Sequence, residues 1–405
     1  MKGFFAKIGA AIKAHKARTV VIASVALILI SAIVALSCLG VYVFNRFSTG
    51  YIPTDEDLAV INGNVANQYD RVVIIGVDGA GKYPGEMLDD DPYSLPNFKH
   101  LFVDGFETAG GTRINASVTY SGMAVYPTIS AQNWTSMFHG VRPSYHGITG
   151  SNSNKDLSNG KQADEKYPSF IKVFLEAHSD AKVFSAGTWD AINNGAIEDL
   201  GDKVVKINTT CEDVYKIKND EDVEGLAADS VIKGFIKNAV EGNSTADPDC
   251  FLRDMITAQR VIEATTSEEG KSAYKIAYMH LNQVDSAGHS YGYNKQAYAR
   301  AVARVDDIIG KVYEAYENAN MLDNTLFIFC TDHGHRYLQN GTGHGGNSKV
   351  ERTVTFAIAG KTVKQGTLGK YVNTDLAPIV AYALGVKAAD TWQGRVPYNA
   401  FTLLG

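Results

Sequence analysis

Cysteine is scarce in this sequence: Cys38, Cys211, Cys250 and Cys330 are the only four in 405 residues, and no two form a CxxC pair. A cysteine-built zinc knot is therefore a poor fit, because such knots use thiolates paired at short spacing. Cys211 and Cys250 share one polar region and could form a disulfide outside the cytoplasm. Cys330 ends an apolar run and is expected in the core. No internal repeat or low-complexity tract occurs. With 45% hydrophobic and 20% charged residues, disorder and coiled coil are poor fits as well.

Acids are missing from the first 46 residues, which hold six of the 38 Lys and Arg and none of the 44 Asp and Glu. The remainder thus has 32 cations against 44 acids, a balance of −12, and should not bind nucleic acid non-specifically through its net charge. Residues 1–18 read as a basic cytoplasmic segment. Residues 19–44 carry no charge and are long enough for a transmembrane signal anchor. The charge asymmetry predicts a single-pass protein of the cell membrane with its catalytic domain extracellular. A cleaved signal peptide is the alternative. Residues 45–70 read as a linker.

From Arg71 onward, buried-strand runs alternate with helical spacing. RVVIIGV (71–77), YKIAYMH (274–280), NTLFIFC (324–330) and TVTFAIA (353–359) are continuous apolar strands. Helical patterns fall at 169–177, 294–318 and, after an Asn373-Thr374-Asp375 cap, up to 384. This order predicts an α/β domain over 71–405 with a mainly parallel sheet. Segment 190–265 alternates polar turns with two helix-like stretches, 226–239 and 251–264, and reads as a cap or insertion over one edge of the core.

The residues able to carry chemistry cluster just after those strands, where open α/β sheets place their sites. Asp78 follows the first strand. Ser130 and Asn133 lie in YPTISAQN. Asp285 and His289 form DSAGH, read as a turn. Asp332 and His333 open TDHGH, and His344 lies in GHGG. Singly each has an ordinary explanation as a turn, a helix cap or a loop. Together, three carboxylates, three imidazoles and a hydroxyl suit two divalent ions, Zn²⁺ first and Mn²⁺ second. Two such ions about 4 Å apart can hold both sides of a phosphoryl group in transfer. They also let an acidic domain accept an anionic substrate. His335 competes with His344 as a ligand, and His344 is preferred. His280 is expected in the core or behind the ligands, His139 and His146 in structural roles, and Trp134 as packing or an apolar wall.

The segment YPTISAQNWTSMFHGVRPSYHG (126–147), with DSAGH, TDHG, GHGG and TDLAP (374–378) in that order, resembles the alkaline phosphatase superfamily, in particular its nucleotide pyrophosphatase/phosphodiesterase branch. The resemblance runs from about Val72 to Gly385. It implies a three-layer sandwich with helices on both faces of the sheet. It also implies one metal held by Asp78, Asp332, His333 and the nucleophile Ser130, and a second held by Asp285, His289 and His344. Asn133 would donate to a phosphate oxygen, aided by early N–H groups of the nucleophile helix. A phosphoserine intermediate follows.

Three features depart from the branch. Ser130 stands where it usually has Thr. Ala131 replaces the aromatic that stacks a nucleobase. Gln132 and Trp134 replace its Pro and His. The sulfatase pattern, Cys or Ser followed by Pro and Arg two and four places on, is missing at Ser130. The expected function is hydrolysis of a small phosphodiester or pyrophosphate, with a nucleotide or lipid headgroup as substrate. A phosphomonoesterase, a phospho-headgroup transferase and an inactive binding module are the alternatives.

Overall fold

Every residue of the run Arg71–Val77 is buried, as a strand covered on both faces must be. In the computed structural model the described residues are 69–402, apart from 90–91, 235, 237–247, 294, 339–340 and 398–399. The strands are β1 (Arg71–Val77), β2 (Phe106–Glu107), β3 (Arg113–Met123), β4 (Lys182–Gly187) and β5 (Val204–Asn208). They continue with β6 (Tyr274–Leu281), β7 (Thr325–Thr331), β8 (Arg336–Leu338), β9 (Gly341–Gly343), β10 (Thr353–Gly360) and β11 (Gly366–Thr367). The main helices are α1 (Ser130–His139), α2 (Phe170–Ala177), α3 (Cys211–Lys218), α4 (Pro248–Thr266), α5 (Gln283–Tyr291), α6 (Gln296–Asn318) and α7 (Leu376–Ala383).

The main sheet has the order β11-β3-β10-β7-β1-β6-β4-β5, with β2 beside β3; β8 and β9 pair separately. Strands β7, β1, β6, β4 and β5 are mutually parallel. Strand β10 runs antiparallel to both β7 and β3. The sheet is therefore mainly parallel, as expected, and is mixed only through β10 and the short β2. A buried apolar run has the same composition in either direction, so strand polarity was not legible in it.

Alternation along β1 separates two apolar layers. Val73, Ile75 and Val77 join Ile256 of α4 and Val305 and Ile309 of α6. Val72 and Ile74 join Trp134 and Phe138 of α1, Phe170 of α2 and Val380 of α7. The result is a three-layer α/β sandwich. Segment 190–265 supplies edge strand β5 and, as the helical spacing at 251–264 predicts, much of α4, which packs against β4 and β6.

The membrane expectations are corrected. Among the described residues no helix is long and apolar enough to cross a membrane. The physical reason is amphipathicity: α6, the longest, buries Tyr298, Ala301, Val302, Val305, Ile308, Ile309 and Val312 on one stripe and keeps Arg and Glu elsewhere. The proposed anchor 19–44, with 1–18 and most of the linker 45–70, lies outside the described residues. Among the described residues, then, there is no transmembrane helix on which the expected membrane attachment and single-pass location could rest. Cys211 is an exposed free thiol and Cys330 a buried one; the Cys250 side chain lies outside those described.

Candidate metal centre

Register brings the ligands together. Val77 of β1 is level with Leu281 of β6 and with Thr331 of β7. Asp78 and Asp332 therefore leave adjacent strands at the same height. Asp285 lies four residues beyond the end of β6, on the first turn of α5. DSAGH is thus helical rather than a turn, and its i, i+4 spacing puts Asp285 and His289 on one face. Two groups of donor atoms result, Asp78/Asp332/His333 and Asp285/His289/His344, with atoms in each group within 4.8 Å of one another.

In the first group each carboxylate has one oxygen clamped and one free. Asp78 Oδ2 accepts from the Trp134 indole at 3.0 Å and from His280 Nε2 at 3.2 Å. Asp332 Oδ1 accepts from the Gly79 N–H at 3.0 Å. The other oxygens, Asp78 Oδ1 and Asp332 Oδ2, are buried without a hydrogen bond and lie 3.5 and 3.3 Å from His333 Nε2. Ser130 Oγ is 3.1 Å from the same nitrogen. His333 Nδ1 donates to the Gly334 carbonyl, which fixes the tautomer and leaves Nε2 its lone pair. Burial, and then His344, hold His333 down at about 4, so it is neutral at pH 7.

The second group shows the same design. His344 Nδ1 donates to the Thr128 carbonyl at 2.8 Å. Its Nε2 faces His289 Nε2 at 3.2 Å and lies 3.6 Å from Asp285 Oδ1, which has no hydrogen bond. Asp285 Oδ2 is 3.2 Å from His289 Nε2. Burial opposes ionisation of Asp285, but the His289 bond and the neighbouring imidazoles hold it at about 2. Asp332 moves the other way, raised by burial and by the Asp78 charge. The stacked rings of His333 and His344, 3.7 Å between centroids, connect the two groups.

Orphaned buried carboxylate oxygens and paired imidazole lone pairs aimed at common points are what divalent cations satisfy. The residues therefore fit a metal centre. Gly79 keeps it open: its φ is +66°, and an added Cβ would come within 2.8 Å of Asp285 Oδ1.

Asn133 lies within the turn that leads to Ser130. Its side chain is fully buried, and its Nδ2 donates to the carbonyls of Val125, Pro127 and Ile129 at 3.0 to 3.3 Å. Its Oδ1 accepts from Val125 N and Asn373 Nδ2. The amide is engaged in clamping the turn before Ser130. The early helix N–H groups are also engaged. Gln132 N and Asn133 N donate to Ile129 O, and Ala131 N donates to Asn154 Oδ1 at 3.1 Å.

His335 forms a third ligand-like group with Asp285 and His333. Its Nε2, however, is engaged by the Tyr298 hydroxyl at 3.0 Å, and its ring stacks on Tyr293. Trp134 both packs in the core and orients Asp78. His146 and His139 make structural bonds, to Ser136 and to the Tyr167 and Ala196 carbonyls. Sequence reading missed Asn154, Asn373, whose amide also donates to Asp332 O, and Tyr298, which donates to Gly79 O. It also missed Thr128 as the clamp on GHGG: its hydroxyl donates to Gly346 O and accepts from Gly345 N. The NTD motif was noticed only as a helix start, and the YPT motif gave no sign of its distant partner. A cavity of about 440 Å³ lined by Asp70, His178, Asp180 and Lys275 opens at the opposite, amino ends of the strands, away from these ligands.

Fold and ligand pattern together are those of the alkaline phosphatase superfamily. More narrowly, the chain belongs to the type I phosphodiesterase/nucleotide pyrophosphatase family, whose model matches residues 72–353. Solved structures share the fold. Murine ectonucleotide pyrophosphatase/phosphodiesterase 5 gives a TM-score of 0.53 at 12% identity, covering 79% of this chain and 96% of that one. The alkaline phosphatase PafA, in mutant form, gives 0.58 at 12% identity, covering 84% and 100%. Among curated proteins, GPI ethanolamine phosphate transferase 2 of Aspergillus fumigatus is 32% identical over 92 residues, 23% of this chain and 11% of that protein. GPI ethanolamine phosphate transferase 1 of Saccharomyces cerevisiae is 23% identical over 174 residues, 38% and 19%. The chain thus spans at most a fifth of these relatives' length.

Proposed function

We propose that the protein cleaves phosphodiester or pyrophosphate bonds through a phosphoserine on Ser130. The observation that carries this reading is the position of Ser130 Oγ, at the start of α1 and 3.1 Å from His333 Nε2, the nitrogen that the freed Asp78 and Asp332 oxygens also face. Asp78, Asp332, His333 and Ser130 would hold one divalent ion and Asp285, His289 and His344 the other, with Zn²⁺ the best fit to the donors. When bound, such ions supply Lewis-acid charge that favours the serine alkoxide and offsets charge on the phosphoryl oxygens. Ser130 Oγ loses its proton to solvent and attacks phosphorus. The bond to the leaving group breaks, the departing oxygen takes up a proton, and the phosphoryl group stays on serine. Water then attacks the phosphorus and Ser130 Oγ departs.

Asn154 replaces Asn133 as the substrate-facing amide. Its Oδ1 is anchored on Ala131 N, and the side chain is otherwise exposed, so its NH₂ group is available to a phosphate oxygen. Three carboxylates and an alkoxide neutralise two divalent ions. This balance suits a monoanionic diester better than a dianionic monoester.

A second reading, transfer of a phospho-linked headgroup, is favoured by the transferase names of the curated relatives. The first half-reaction is the same, and an acceptor alcohol replaces water in the second. The test is initial rates on bis-p-nitrophenyl phosphate and p-nitrophenyl phosphate with Zn²⁺ or Mn²⁺, with and without added ethanolamine or glycerol. Diester turnover abolished in S130A supports the first reading. Label passing to the alcohol in preference to water selects the second. Metal-loaded protein without Ser130-dependent turnover of either ester sinks the hydrolase proposal.

A further inference from the structure

Helix α5 carries two of the proposed ligands, yet it is not capped by its own N-cap residue. Asn282 makes no side-chain cap; its amide donates to Ser286 Oγ instead. The cap comes from a distant part of the chain. Asp254, on α4 and fully buried, accepts through Oδ1 from the Asn282 N–H at 3.0 Å and through Oδ2 from the Gln283 N–H at 3.0 Å. Its Oδ1 also takes the Thr188 hydroxyl at 2.7 Å. Thr188 Oγ1 in turn receives the Asn282 N–H at 3.1 Å and lies 2.9 Å from the His280 carbonyl, on the residue whose ring holds Asp78.

Three donors thus converge on two oxygens of one carboxylate. The demand is for acceptors on both sides, which Asp meets and Asn does not. An amide NH₂ on either side would face an N–H or an O–H. Negative charge is also placed at the positive end of α5, where it is most favourable. From that end Asp285 is reached within one turn and His289 within two. Outer-shell bonds of this kind set where first-coordination atoms stand, and losing one typically costs 10- to 100-fold in metal affinity.

We infer that Asp254 is a positioning residue. From a segment outside the ligand motifs, it fixes the start of α5 so that Asp285 and His289 meet His344 at the second metal. This inference rests on the metal reading of that group and extends it to a residue 31 positions before Asp285.

The experiment is zinc titration of the full-length protein against a chromophoric chelator, with Co²⁺ absorption spectra as the second readout. The variants are D254N, T188V and D213N. Asp213 pairs with buried Arg260 in the same region, 3.0 Å apart, and bonds neither α5 nor any proposed ligand in the structure. Wild type should take up two ions. D254N should keep one at wild-type affinity and weaken the other 10- to 100-fold, with a changed Co²⁺ band for that site. T188V removes the hydroxyl with its bonds to Asp254, Asn282 N–H and the His280 carbonyl, leaves the two N–H bonds to Asp254, and should weaken the same ion several-fold; it decides the matter if D254N does not fold. D213N should lower the unfolding midpoint and leave both zinc affinities in place. Unchanged affinities in D254N and T188V, or an equal loss in D213N, would overturn the positioning role. A wild type without a second zinc would instead overturn the reading of the site, and the inference with it.

Discussion

Replacing Asn133 by alanine separates a structural clamp from a phosphate ligand. In the structure its Oδ1 satisfies Val125 N–H and Asn373 Nδ2, both buried, and its Nδ2 serves three carbonyls. Truncation strands two donors at once. Each stranded buried donor costs roughly 1–3 kcal/mol, so N133A should lose about 2–6 kcal/mol. With an m-value of about 3 kcal/mol per molar urea, the midpoint should fall by roughly 1 M. N133D keeps the shape but turns an oxygen toward three carbonyls, and should lose at least as much. The assay is urea unfolding followed by far-UV circular dichroism, with rates on the diester taken in parallel. A clamp predicts that stability falls, because the turn carrying Ser130 is no longer held. An N133A protein with a wild-type midpoint but a large loss of kcat would refute the clamp and restore Asn133 as a direct phosphate donor.

Three further outcomes follow from the same geometry. G79A places a Cβ 2.8 Å from Asp285 Oδ1 at a positive φ, so it should lose zinc stoichiometry at the second site and at least tenfold in rate; an unaltered stoichiometry by elemental analysis would refute the close fit. Chelation should abolish turnover and lower the thermal midpoint, since saturating a site at 100 times its Kd stabilises by about 2.7 kcal/mol; calorimetry with and without EDTA checks this. Buried His146 is held at about 3, first by desolvation and then by His139, with Nδ1 accepting the Ile148 N–H. Its folded pKa is below the unfolded one, so only the unfolded chain gains this proton on acidification, and stability is lost as pH falls from about 6.5 toward 3. Relative to H146N, wild type should therefore lose about 2 kcal/mol between pH 7 and 5, read from urea midpoints at each pH. A pH-independent difference would show that His146 is not buried neutral.

Local pattern carried much of the fold. The runs at Arg71, Tyr274, Thr325 and Thr353 are strands because continuous β-favouring apolar residues suit a sheet covered on both faces. The 294–318 pattern is helix α6 because its apolar residues recur on one stripe. The ligand residue types were likewise legible, since carboxylates and imidazoles just after buried strands have few other uses in such number. Not legible were the direction of β10, the edge strand at Val204–Asn208, and the helical state of DSAGH. Each depends on partners far away in sequence. The membrane helix was inferred from residues 19–44, whereas the described architecture contains no helix able to span a bilayer.

By itself the sequence determined which side chains could meet: it spaced Asp285 and His289 four apart and put Asp78 and Asp332 directly after strands that must be buried. Only the tertiary structure decided which atoms of those side chains are free. Asp78 Oδ2 is taken by Trp134 and His280, and Asp332 Oδ1 by Gly79, so one oxygen of each is left for a cation. The same accounting commits the Asn133 amide to its own turn and brings Asn154 and Asp254 to attention. The physical reason is that a hydrogen-bonding atom has few lone pairs or protons to offer. Their commitment is settled by neighbours hundreds of residues away, which no local spacing encodes.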